Sequence, residues 1–527
     1  MKNYLTQVWQ LLKNSQSEAP HKTALICGKS ALTYEQIFQA SQGLAKLLAD
    51  CGVRRSDRVV IFSGNTVDSV LAYWAAQFLG AVACVIHPET LPEKFRYILE
   101  DSEAKVFIQS DAIWDSNSRK ILNLFNLDLL LNNFINFKNT KSCPVLDPVL
   151  DIDLSMIMYT SGSTGEPKGV MLTQRNVLAA CYGINTYLGH SNKDIIASVL
   201  PISFDYGLYQ MIMAFSVGAT LILEKDFVLP FKFLQKIEKY QATIVPLVPS
   251  MVPILKTNLL KHPFFMNSVR AVTNTGAALT GKNIKEILEI FSAAQLFSMY
   301  GLTECKRCTY LPPEDLFRKA GSVGKAIPGT EMWIADALGK RLPPNTVGQL
   351  VIRGATVMKG YWKKPEKTEE RLKNGLLPQE KLLYTGDQCF IDEEGYLFFQ
   401  GRMDEILKIR GMKVSPREIE EVLSNCPGVK EAVAIGIDDE DQGQLLYLFI
   451  SLESSIDSSG DSSGEFSADF HEKIIKKYVQ ENLASHSQPH EIMIIDELPK
   501  TGNGKIDRLK LKELKGLSKS KAHAIEV

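Results

Sequence analysis

No sign of charge dominates this chain. Its 59 Lys and Arg stand against 60 Asp and Glu, a formal net charge of −1 over 527 residues. Without excess positive charge there is no global field to release counterions from nucleic acid or to hold an anionic membrane. Cysteine is scarce too: nine residues, an odd number, are scattered from Cys27 to Cys426. That usage fits reduced thiols in the cytoplasm and excludes a small disulfide-stapled scaffold. The single close pair, Cys305 and Cys308, has neither a second pair nor histidines beside it, so local packing outweighs a metal site. Long apolar runs are also missing. The most apolar window, residues 70–86, contains Gln77 and Gly80 and stops at His87-Pro88. A bilayer span needs ~20 apolar residues. The window reads instead as a buried helix, a break at Gly80 and a buried strand over 81–86, and no transmembrane segment is expected. The first residues lack the apolar core of a secretory signal.

What remains is ordinary globular composition, 45% hydrophobic and 23% charged, which rules out wholesale disorder. At ~150 residues per domain the length allows roughly three or four units. Residues 33–50 carry apolar positions at helical spacing, and 59–62 and 106–109 are strand-like. Residues 111–150 are Asn-rich and read as a surface excursion. From 154 onward, strand-length apolar runs recur at 154–159, 195–200, 220–223, 243–248, 269–273 and 296–299. Helical segments lie between most of them (174–187, 231–240, 281–290). Short continuous strands separated by helices predict an α/β fold built on largely parallel sheets covered on both faces. Ligands in such sheets sit beyond the carboxyl ends of the strands. Over 321–400 glycine and proline punctuate short strands, which predicts a β-rich subdomain. A small α+β unit then opens at Gly401-Arg402-Met403-Asp404, with a helix at 416–425, strands at 429–437 and 445–452, and a helix at 470–483. The expected domains are therefore 1–402 and 403–527. The second contains a Ser/Gly/Asp-rich insert near 454–467 with nothing to bury. It ends in a lysine-rich tail, from Arg508 on, that reads as solvated.

The strongest local signal is Tyr159-Thr160-Ser161-Gly162-Ser163-Thr164-Gly165-Glu166-Pro167-Lys168-Gly169, following an apolar strand and leading into a helix. Glycines and hydroxyl residues let backbone N–H and side-chain O–H groups surround an anion closely, and the lysine adds a point charge. It is not a Walker loop, because proline precedes and glycine follows the lysine.

This segment resembles the signature loop of the AMP-forming adenylating enzymes, the superfamily of acyl-CoA synthetases, nonribosomal peptide synthetase adenylation domains and luciferase. Four further segments follow in the family's order. They are Tyr300-Gly301-Leu302-Thr303-Glu304, Tyr384-Thr385-Gly386-Asp387, Gly401-Arg402-Met403-Asp404-Glu405-Ile406 with Lys408 and Gly411, and Pro499-Lys500-Thr501-Gly502-Asn503-Gly504-Lys505-Ile506. The resemblance spans about 22–508 and is most similar to standalone acyl- or aminoacyl-carrier-protein ligases. It implies a large N-terminal domain, a small mobile C-terminal domain and two half-reactions. In the first, a carboxylate attacks the α-phosphate of ATP. In the second, a pantetheine thiol on CoA or a separate carrier protein takes the acyl group.

The resemblance also implies residue roles. Thr160, Ser161, Gly162, Ser163, Thr164, Gly165 and Lys168 would hold phosphates, with Thr164 counted among the catalytic residues. Glu304 would hold Mg²⁺, a hard cation that takes oxygen ligands. Tyr300 would stack on adenine beside Gly276 and Ala277, with Gly301 and Thr303 in the same nucleotide site. Asp387 would take the ribose hydroxyls, with Arg402 as a second contact. Lys505 would reach between carboxylate and α-phosphate, where a preorganised donor is worth ~10²–10³ in rate. Asp404 would be the hinge.

The acid is less legible. Pro201-Ile202-Ser203-Phe204-Asp205 occupies the place where acyl-CoA synthetases often carry Pro-Leu-x-His, with Phe204 for the histidine. In amino-acid-activating relatives an Asp here meets the substrate ammonium. Asp205 thus reads either as that partner or as the cap of the helix that follows. Arg307 reads as a surface charge or, less favoured, as a pocket residue. The leading reading is an AMP-forming ligase for a carboxylate, an amino acid among the candidates. The alternatives are a fatty or aryl acyl-CoA synthetase, a ligase that stops at acyl-AMP, and an inactive binding relative.

Overall fold

The computed structural model describes residues 5–109, 123–126, 149–161, 166–261, 264–276, 279–403, 407–409, 412–439, 443–452, 468–483, 487–501, 506–517 and 523–526. Contacts divide the chain into two units. The first comprises Met1–Ala278, Glu286–Trp333 and Val351–Thr385; the second comprises Leu279–Lys285, Ile334–Leu350 and Gly386–Val527.

The first unit holds two sheets. In the larger, the strands Gln295–Tyr300, Ala271–Asn274, Ile244–Leu247, Ile195–Ser198, Thr220–Leu223 and Thr23–Cys27 lie side by side in that order, and all five neighbouring pairs are parallel. Antiparallel strands close its margins. The second sheet runs Gly360–Tyr361, Pro167–Thr173, Leu154–Ser161, Val82–Ile86, Arg58–Phe62, Val106–Gln109 and Asn123–Asn126. Its strands from Leu154–Ser161 onward pair in parallel. The runs are continuous because both faces are covered: Ile244–Leu247, Thr220–Leu223 and Val82–Ile86 are buried at every position. The expected parallel α/β architecture is thus present.

Helix starts follow side-chain chemistry. Thr33 and Gln36 form a reciprocal capping box that opens Tyr34–Asp50, and Thr66 with Ser69 opens Val67–Phe78. The latter helix is buried from Ser69 through Phe78. The apolar window is therefore a core helix, a turn at Gly80 and the strand Val82–Ile86, as its length required. Among the described residues no helix is long and apolar enough to cross a membrane.

In one respect the expectation is corrected. The glycine- and hydroxyl-rich segment does not lead straight into a helix. The strand Pro167–Thr173 intervenes, antiparallel to Leu154–Ser161, and the helix Gln174–Leu188 begins after it. Lys168 and Gly169 hide this strand, but Val170 and Leu172 are buried and anchor it.

The second unit is an α+β body around Val429–Asp439, Gly443–Leu452, Glu491–Ile494 and His523–Glu526. Period-two alternation gives its sheet two apolar faces. Ala434, Leu446, Leu448 and Ile492 pack with Ile419 and Leu423 of the helix Pro416–Leu423 and with Ile475 and Val479 of Ala468–Asn482. On the other face Val433, Ile435, Tyr447, Phe449 and Met493 pack with Leu498 and Leu511. Each fully buried side chain of this kind contributes about 1.5–3 kcal/mol. Leu511 belongs to the helix Arg508–Leu517, so this part of the expected solvated tail is packed structure. Arg508 pairs with Glu420 at 2.6 Å and donates to the Ala434 carbonyl at 2.7 Å. The insert at 454–467 lies outside the described residues.

Candidate active site

Parallel strands of the larger sheet deliver the predicted residues to one edge. Gly276 follows Ala271–Asn274, Tyr300 ends Gln295–Tyr300 with Gly301, Thr303 and Glu304 after it, and Phe204 and Asp205 follow Ile195–Ser198. All therefore lie beyond carboxyl ends, where such sheets bind ligands. Gly276 has φ +89°, a conformation that disfavours side chains. Gly301 is required for a different reason. A Cβ there would stand 2.1 Å from the Lys306 carbonyl oxygen and 2.9 Å from Arg307 Cα, because the turn folds back on itself.

The second sheet supplies the phosphate-type loop. Thr160 sits opposite Lys168 and Ser161 opposite Pro167 in the hairpin. Gly162, Ser163, Thr164, Gly165 and Ala277 lie outside the described residues. Burial pushes the Lys168 ammonium below its usual pKa, and repulsion from Lys367 and Arg371 adds to this. Its Nζ lies 5.9 Å from the Tyr361 ring centroid. The Tyr361 hydroxyl donates to Glu304 Oε1 at 2.7 Å, and the Glu304 carbonyl accepts from the Met358 N–H at 2.7 Å. Tyr361 is positioned by pairing of Gly360–Tyr361 with Val170 and Met171. One tyrosine thus touches both the predicted phosphate lysine and the predicted metal carboxylate. Sequence reasoning missed it, having read only Gly360 there, as punctuation.

The turn after Glu304 also departs from expectation. Arg307 is not a surface charge: it and Lys306 are each 2% exposed. Lys306 adopts φ +61°, a strained value for a side-chain-bearing residue. Its Nζ lies 3.3 Å from Asp205 Oδ2 and 4.1 Å from the Tyr209 ring centroid. Burial holds its pKa down to about 7, against the opposing pull of Asp205. The Arg307 guanidinium lies 5.2 Å from the Tyr206 ring centroid. The Tyr206 hydroxyl hydrogen-bonds the Thr273 carbonyl at 2.8 Å. Cys305 and Cys308 are buried with their Sγ atoms 3.0 Å apart.

Asp205 is the first residue of the helix Asp205–Ser216, and the cap position is Phe204, which makes no side-chain capping bond. The capping reading of Asp205 is therefore corrected. Its carboxylate instead faces a cation of the chain itself, Lys306. Phe204 stacks on His87, with centroids 5.8 Å apart and planes inclined by 15°. A histidine thus lies at this point, contributed from 117 positions earlier.

In the second unit Asp387 is 1% exposed and its Oδ1 accepts from Arg402 Nη1 at 2.7 Å. The two residues are cross-strand partners. Asp404 and Lys505 lie outside the described residues. An antiparallel bridge between Lys500 and Ile506 brackets the segment that carries Lys505.

The sequence profile of AMP-binding enzymes matches residues 12–362, and that of the AMP-binding enzyme C-terminal domain matches 418–505. The 4-coumarate:CoA ligase 1 of Petunia hybrida is 29% identical over 521 residues, spanning 94% of this chain and 92% of its own. Among solved structures, the O-succinylbenzoate coenzyme A synthetase of Bacillus subtilis in complex with AMP gives a TM-score of 0.82 at 25% identity, over 96% of this chain and 98% of that one. VinN with L-aspartate gives 0.69 at 30% identity, over 75% of this chain and 98% of that one.

Proposed function

The chain belongs to the AMP-binding enzyme family, and from that membership we propose how its residues serve an ATP-dependent, AMP-forming acid–thiol ligase. A carboxylate oxygen attacks the α-phosphate of ATP, and pyrophosphate leaves. A pantetheine thiol then attacks the acyl carbon, AMP leaves, and the thiol proton passes to solvent.

The reading rests above all on the meeting of Lys168 and Glu304 at Tyr361. A tetra-anionic nucleotide needs fixed positive charge and N–H donors where negative charge accumulates. Thr160 to Gly165, with Lys168, supply both, and partial desolvation strengthens the lysine's interaction with phosphate. Glu304 suits Mg²⁺: it is a half-buried oxygen donor already oriented by a hydrogen bond. The ion, when bound, neutralises phosphate charge. Structures of the Bacillus synthetase with AMP, and with ATP and magnesium ion, support this assignment. Tyr300, Gly276, Ala277, Gly301 and Thr303 face the base, and Asp387 with Arg402 holds the ribose. Lys505 neutralises charge between the two reactants. Asp404 is the hinge between functional domains 1–402 and 403–527.

The acceptor is CoA or the prosthetic group of a separate carrier protein. For the acid, the L-aspartate bound by VinN supports an amino acid. The coumarate and succinylbenzoate ligases support an aryl acid as the second reading. Incubating the protein with ATP, Mg²⁺ and panels of amino, fatty and aryl acids tests the proposal. AMP and pyrophosphate should form only with an accepted acid, and CoA or a holo carrier protein should gain the acyl mass. Acid-dependent formation of ADP and phosphate instead would refute it.

A further inference from the structure

Two cations and one carboxylate meet inside the first unit. Lys306 and Arg307 are buried, and the charged groups that act on Lys306 are Asp205 and Arg307. The surrounding side chains Tyr187, Tyr206 and Tyr209 are phenols kept neutral by burial. Buried charge is costly unless it is matched and hydrogen-bonded, and whenever Lys306 is protonated one positive charge is in excess. The donors are also incompletely used. Lys306 Nζ is paired with Asp205 at 3.3 Å, whereas Arg307 Nε has no acceptor among the described residues. Asp205 is 27% exposed, so solvent reaches its side of the cluster, while Lys306 and Arg307 lie behind it. Both segments leave carboxyl ends of the sheet that presents Glu304, from strands with two others between them.

We propose that Lys306 and Arg307 form a subsite for a second, non-reacting carboxylate, so that the acid activated is a dicarboxylate. This inference rests on the ligase reading above. Asp205 orients Lys306, and the arriving carboxylate brings the cluster to two charges of each sign. It accepts hydrogen bonds from the ammonium and guanidinium donors. A neutral amide of the same shape offers one acceptor oxygen in place of two, turns an N–H toward the cations and leaves a positive charge unmatched, so it is rejected.

The test compares dicarboxylates with their monoamides, which match in shape and lack one charge: aspartate with asparagine, glutamate with glutamine, succinate with succinamate, glutarate with glutaramate. With the full chain, pyrophosphate release should favour a diacid over its amide by about 10²-fold or more in kcat/KM. Lys306→Met and Arg307→Met should each shrink that ratio at least about tenfold through KM for the acid, with KM for ATP unchanged. The aspartate and succinate arms show whether an amine is also read. Should the variants fail to fold, the parent's ratio decides alone. Calorimetry of diacid and amide binding to the parent with a non-hydrolysable ATP analogue decides without turnover. Preference for a monocarboxylic acid, equal use of acid and amide, or no diacid binding overturns the subsite while leaving the ligase reading intact. Diacid-selective binding with no pyrophosphate from any acid upholds the subsite and refutes the ligase reading.

Discussion

Removing the Tyr361 hydroxyl isolates a single link in the site. In Tyr361→Phe the ring stays, so its packing and its contact with Lys168 persist. What goes is the hydrogen bond to Glu304 Oε1 at 2.7 Å. A hydrogen bond to an ionised carboxylate contributes about 1.5–3 kcal/mol. Glu304 is half-buried, so water partly replaces the lost donor and folding stability changes little. The loss falls on orientation. A carboxylate free to rotate presents its oxygens to the metal less often, and loss of such a supporting partner typically costs 10–100-fold in metal affinity or activity. The variant should show kcat/KM for ATP lower by about 10–100-fold at saturating acid, with the Mg²⁺ half-saturation point raised by a similar factor. Initial rates of pyrophosphate release over a Mg²⁺ series measure both. Parent-like values for both, in a protein with unchanged Tm, would refute the argument that Tyr361 positions Glu304.

Gly301→Ala should lower Tm by several degrees and depress pyrophosphate release, because the clash is with backbone of Lys306 and Arg307, which has little room to yield; a parent-like Tm would show that the turn is not as tight as described. Asp194 gives a pH prediction. Burial pushes its carboxyl up, but hydrogen bonds from Arg270, Thr243 and the Ser191 N–H, with the Arg270 charge, outweigh burial and hold it at about 2, below the usual 3.8. Its contribution is thus complete above about pH 4 and fades as pH falls toward 2. Asp194→Asn should cost about 1–3 kcal/mol at pH 7, and denaturant titrations should find the difference from parent shrinking between pH 4 and 2. A difference that stays constant through that window would contradict this. Asp404→Pro should leave acyl-AMP formation intact and impair thioester formation, measured as separate half-reactions; equal loss of both counts against a hinge.

Much of the fold was legible because its strands bury both faces. Runs such as Thr220–Leu223 and Ile244–Leu247 need no partner to be recognised as strands. The strand Pro167–Thr173 was missed because its hydrophobic content is interrupted by Lys168 and Gly169, residues placed there for the loop rather than the sheet. The candidate site is legible where its residues are contiguous in sequence, as in Tyr300 to Glu304. It is opaque where the partner comes from elsewhere. Tyr361 lies 57 positions from Glu304, and nothing beside it in sequence marks it. Arg307 reads as a surface charge since a cation at a turn normally faces water, and Lys306 beside it carries no signal of its own. Their burial is produced by Asp205, Tyr206 and Tyr209, about a hundred residues away. Arg508 was misread for the same reason: Glu420 and the Ala434 carbonyl, not its lysine-rich surroundings, fix its place.

The central claim is that an ammonium from the C-terminal part of the chain neutralises charge between an acid and the α-phosphate of ATP. Acid-dependent exchange of labelled pyrophosphate into ATP measures that step alone. The parent protein should exchange label when given its acid, and Lys505→Ala should exchange at least about 10²-fold more slowly while retaining ATP binding. Exchange by Lys505→Ala at the parent's rate would contradict the account.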